Sequence, residues 1–136
     1  MPSILQYYRN PLGSITYDPA GFVQLTWSDA PISPPELQSI YVHTLQALRH
    51  HAARKLLTDQ RRRQPLPLAE QQWIVEHWIP RAVQECAYSH CAIVESQELV
   101  GRQAARAVGQ ALGTNPPLFH YFAEEELART WLRQND

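Results

Sequence analysis

The hydrophobic pattern of this chain changes period several times along its length, and those changes limit its possible folds more than any single motif does. In "SITYDPAGFVQLTW" (residues 14–27), Ile15 and Tyr17 alternate with Ser14 and Thr16, and Val23, Leu25 and Trp27 alternate with Phe22, Gln24 and Thr26. A period of two is that of half-buried strands. Asp18-Pro19-Ala20-Gly21 between the runs has turn chemistry, so the segment predicts a β-hairpin. The preceding "ILQYY" adds a short edge strand. Further along, "KLLTD", "HCAIVE" and "LFHYF" are too short and too apolar for surface helices, and read as buried strands.

Segments of helical period separate these runs. Leu37, Ile40, Tyr41, Thr44, Leu45, Leu48 and Ala52 form one stripe, opened by Ser33 as N-cap with prolines and Glu36 in the first turn. Ile74, Val75, Trp78, Ile79, Ala82 and Cys86 form a second, in which Pro80 predicts a kink or a split. Val100, Ala104, Ala107, Val108 and Ala111 form a third stripe of small residues. Leu127, Ala128, Trp131 and Leu132 form the last, with Glu124 to Glu126 at its start and Arg129 and Arg133 near its end, as the helix dipole favours. Strands alternating with helices after a hairpin place the chain in the α/β class, with a mixed sheet that has a parallel section. A length of 136 residues predicts a single domain over 1–136.

Composition removes several functions. The net charge of −1 gives no electrostatic case for nucleic acid. No apolar run reaches the roughly 18 residues of a membrane span, and "MPSILQYYRN" lacks the layout of a signal peptide, so the expectation is a cytoplasmic protein. Gly101, Gly109 and Gly113 make neither a dinucleotide fingerprint nor a phosphate loop, and no HExxH, paired CxxC or G-x-S-x-G occurs. His50 and His51 are adjacent and diverge on a helix, while His43, His77, His90 and His120 lie on four different elements. Cys91 follows His90, but strand neighbours face opposite ways, and Cys91 heads the apolar "CAIV". The expectation is no metal, no cofactor and no enzyme.

One segment keeps a functional reading. In open α/β sheets ligands bind beyond the carboxyl ends of parallel strands. Asp59 ends "KLLTD", and Gln60, Arg61, Arg62, Arg63 and Gln64 follow it. The next helix start, around Leu68 to Glu70, adds backbone donors and a positive dipole end. This arrangement suits an anion or an acidic partner surface, against the plainer reading of a solvated loop with Asp59 paired to an arginine. Trp73, on the flank of the helix stripe, together with His77, could extend the contact surface or wall a ligand.

The element order, together with "FHYFAEEELARTWL", resembles the STAS fold, and more closely the SpoIIAA-like group of small bacterial proteins, named for an anti-sigma-factor antagonist. "LLTDQRRRQPL" and "HWIPRAV" are similar to a subset found in Bacteroidetes. The resemblance implies a mixed four- to five-stranded sheet with about four helices mainly on one side, and a non-catalytic regulatory or ligand-binding role. In the classical antagonists a phosphorylatable serine or threonine lies in the loop after the first crossover strand. Here that loop, Asp59 to Gln72, contains neither residue, and Thr58 belongs to the strand. The expectation is therefore an interaction module meeting an unknown protein partner through Asp59 to Gln64, with a homodimer also open. The group is also reminiscent of CRAL-TRIO lipid-binding domains. This keeps an alternative open: a carrier or sensor of a small apolar or anionic ligand, held between the sheet and the Trp73–Pro80 helix.

Overall fold

A computed structural model describes residues 5–135. Ile4 of the "ILQYY" run, and the extreme N-terminus on which the leader argument drew, lie outside those residues. Three strands, β1 (Leu5–Asn10), β2 (Gly13–Asp18) and β3 (Phe22–Trp27), form an antiparallel meander. β4 (Lys55–Asp59), β5 (His90–Val94) and β6 (Leu118–Phe122) then add in parallel, so spatial order follows chain order across the sheet. The α/β class and mixed sheet agree with the sequence. The strand count is six rather than the four to five that the resemblance implies, because the N-terminal edge strand forms and pairs along β2, with a bulge between Gln6 and Tyr8.

Each parallel step crosses through a helical segment on one face. These are α1 (Pro34–His50), the composite α2 (Leu68–Trp73), π-helical turn (Ile74–Trp78) and α3 (Ile79–Cys86), and α4 (Leu99–Leu112). α5 (Glu125–Gln134) covers the opposite face alone. Double coverage explains the apolar strands: Leu56 packs under α1 to α4, its neighbour Leu57 under α5, and both are buried.

Several details depart from the stripes. Ala52 is exposed with φ 50°, so it ends α1 rather than extending it, and Ala53 N–H closes the turn onto Leu48 O at 2.8 Å. Ser33 occupies the N-cap position without a side-chain bond. Pro80 has no N–H to donate four residues back; the widened turn just before it absorbs the defect, and the helix continues. α4 buries Gly101, Ala104, Ala105, Val108 and Leu112, whereas Val100 is 61% exposed, Ala107 lies on the flank and Ala111 is exposed. The cause is close approach. A Cβ on Gly101 would lie 3.0 Å from Ser96, and one on Gly109 would lie 2.3 Å from the Tyr121 hydroxyl. Leu127 likewise points out, and α5 seats Ala128 and Leu132 instead.

Candidate functional site

The end of β4 distributes its side chains by strand parity. Leu57 and Asp59 face α5; Thr58 and Gln60 face the larger helical layer. Gln60 N–H still donates to Val94 O at 2.9 Å, so the ladder runs one residue past the strand. Arg63 N–H then donates to Gln60 O at 3.2 Å and closes a turn that sends the arginines in different directions.

Arg61 folds back on the α5 face. Its Nε and Nη2 donate to the two Asp59 carboxylate oxygens at 3.0 and 2.6 Å, and Nη2 also lies 3.4 Å from Glu125. Glu125 in turn accepts from Arg129 Nε at 3.0 Å, and Arg129 bridges on to Asp18 and Gln24. Arg61, with its side chain 45% exposed, is therefore a clip between β4 and α5. Arg62 projects outward, 67% exposed, 3.5 Å from an equally exposed Asp29.

Arg63 turns into the protein and is only 7% exposed. Its guanidinium lies over the Trp27 ring, 4.9 Å from the centroid. Burial lowers its pKa, and the neutral Tyr41 hydroxyl is the main group that offsets this. Among the described residues no carboxylate pairs with it. Trp27 is itself fixed, because its Nε1 donates to Thr58 Oγ1 at 3.0 Å. Gln60 Nε2 donates to the same oxygen at 3.2 Å. Thr58 Oγ1 thus accepts twice and keeps its own proton to donate.

Arg63, Gln60, Thr58 and Tyr41 all line one cavity of about 40 Å³ between the sheet and the α2–π–α3 segment. Leu25, Leu56, Cys91 and Ile93 form its floor, and Ile74, Trp78 and Ile79 its roof. The lining contains one cation and no aspartate or glutamate. Burial pushes the Cys91 thiol up to about 12 and also raises Tyr41 and Tyr88, so no neighbouring group carries a negative charge near neutral pH.

The seven residues singled out in the sequence therefore do not form one surface. Gln60 and Arg63 reach the cavity. Asp59 and Arg61 belong to the opposite face. Arg62 meets solvent. Trp73 packs edge-on against Tyr41, centroids 6.0 Å apart, and shares with His77 a shallow outer groove between α1 and the roof. Sequence reasoning missed Tyr41, Thr58 and Trp27 as site residues. Thr58 left one signal, a hydroxyl inside an otherwise apolar strand.

Among the described residues no cluster of three or more His, Cys, Asp or Glu could hold a metal ion, and no helix is long and apolar enough to cross a membrane. Comparison with protein-family models, curated proteins and solved structures finds no match to the chain.

Proposed function

We propose that this chain is a non-catalytic small-molecule sensor or carrier of STAS (SpoIIAA-like) type, holding an anionic ligand between the sheet and the α2–π–α3 segment. One observation carries the reading: Arg63 is 93% buried, lines the cavity and has no carboxylate partner among the described residues. A buried cation without a counter-charge is costly to a fold. A chain that keeps one, in a cavity built from apolar residues and a few hydroxyls, has the composition of a ligand site. The element order of hairpin followed by alternating helices and strands supports the STAS-type assignment. A non-catalytic role is supported by Cys91, the buried nucleophile at the site, which stays a neutral thiol.

Native mass spectrometry of protein isolated from its own host, paired with thermal shifts across lipid and metabolite panels, tests the proposal. A retained small molecule or a saturable shift is expected. A clean apo mass with no shift from any compound overturns it.

A specific observation also supports protein contact through the same loop. Arg62 and Leu68, close in sequence, are each 67% exposed, one charged and one apolar. A regulatory partner with an acidic and apolar face would use both. Recovery of a native partner is expected to fall with Arg62→Ala and Leu68→Ala together; unchanged recovery removes this second role. A homodimer is part of the same question, and light scattering decides it.

A further inference from the structure

We infer that the cavity is selective for a short-chain monocarboxylate, whose head group pairs with the Arg63 guanidinium and whose tail lies against the apolar roof. This rests on the ligand-site reading above and narrows it to a chemical class.

Charge decides first. The lining holds one guanidinium and no acid, so a single negative charge brings the site to neutrality. A dianion would leave an uncompensated charge in an apolar cavity, and a neutral ligand would leave Arg63 unpaired. Donor number decides next. Arg63 offers a planar fork, the Thr58, Tyr41 and Tyr88 hydroxyls add at most one proton each, and Gln60 keeps one amide proton beyond the one it gives Thr58. These serve the two oxygens of a carboxylate. Sulfate or phosphate would bring a second negative charge among Leu25, Ile74, Trp78 and Ile93 with no second cation to meet it. Position follows from Trp27, whose ring holds the Arg63 Cζ 4.9 Å from its centroid at the cavity wall, and a guanidinium takes carboxylate oxygens in pairs. Size sets the tail. A cavity of about 40 Å³ holds about one or two non-hydrogen atoms, against the roughly 150 Å³ that takes benzene, so the tail is short and its entry displaces the roof.

The test is calorimetric titration of the full chain with sodium formate, acetate, propionate and butyrate. Propionamide serves as the neutral isostere and sulfate as the dianion, all at constant ionic strength. Saturable one-to-one binding of a carboxylate is expected, with propionamide and sulfate silent. Arg63→Met should weaken carboxylate binding about 10- to 100-fold, while Arg62→Met leaves it unchanged. Equal carboxylate affinity in Arg63→Met overturns recognition by Arg63. Propionamide binding as well as propionate, or sulfate binding better, overturns the ligand class but leaves a ligand site standing. No binding and no thermal shift from any of these probes overturns the ligand class; the ligand-site reading falls only if native mass spectrometry and the lipid and metabolite panels are blank as well. If Arg63→Met does not fold, the propionate–propionamide comparison on the unmodified chain decides alone.

Discussion

Arg61 and Arg63 are the same residue two positions apart, and the fold treats them oppositely. Arg61 lies half in solvent on the α5 face, doubly bonded to Asp59 and within reach of Glu125. Arg63 is buried on the other face, its guanidinium over the Trp27 ring, with no acid beside it among the described residues. Charge is common to both; pairing is not. The contrast separates a structural clip from a candidate site more sharply than the arginine triplet does as a motif, since an exposed ion pair contributes little and a buried unpaired cation persists only against a cost.

The largest effect should come from removing what holds Arg63 in place. Trp27 is 2% exposed, supplies the ring under the guanidinium and donates to Thr58. Trp27→Ala should cost about 3–5 kcal/mol of stability, read as a large fall in the urea midpoint. A loss below about 1 kcal/mol would mean that the site collapses freely, and that the stack does not define it.

Arg63→Met comes next and has the opposite sign. Methionine retains an unbranched stem and removes the charge, so stability should hold or rise by about 1–2 kcal/mol, with an unchanged m-value. A loss of more than about 1 kcal/mol would show that Arg63 is satisfied structurally, and the contrast with Arg61 would disappear. Arg61→Met should give a smaller change, a loss of about 1 kcal/mol or less that shrinks as salt is added. Equal responses of the two variants to salt would break the comparison from the other side.

The sequence made much of this frame legible, because period and parity are written into it. "KLLTD" and "HCAIVE" are strands whose alternate residues face different helical layers, which places Thr58 apart from Asp59. Parity stops being informative where the ladder stops. Arg63 lies four residues past Asp59, the last regular pair, and its direction comes from the turn onto Gln60, which no apolar pattern encodes. The rotation of α4 was hidden for a related reason. Gly101 and Gly109 sit at its closest contacts, and a glycine adds nothing to a hydrophobic stripe even where its missing side chain sets the packing. The π-helical turn before Pro80 likewise has a visible cause in the proline but an outcome fixed by tertiary fit, with Trp78 Nε1 donating to Tyr41 O at 2.6 Å.

The smallest expected effect at neutral pH is also the one that most sharpens the comparison. Cys91 lines the cavity with Arg63, and a thiolate there would supply the missing counter-charge. Burial instead raises its pKa to about 12, from an ordinary value near 9. In the unfolded chain the thiol ionises near pH 9; in the folded chain it stays protonated until about pH 12. The unfolded state therefore binds fewer protons between those values, so the contribution of Cys91 is fully present below pH 9 and is lost as pH rises toward 12. At pH 8 the native protein should leave Cys91 unmodified by iodoacetamide, while the half-buried Cys86 reacts slowly, and both should react in urea. Peptide mapping distinguishes the two sites. Rapid native alkylation at Cys91 would reveal a thiolate beside Arg63, and Arg63 would then be an ion-paired residue like Arg61, on a different face.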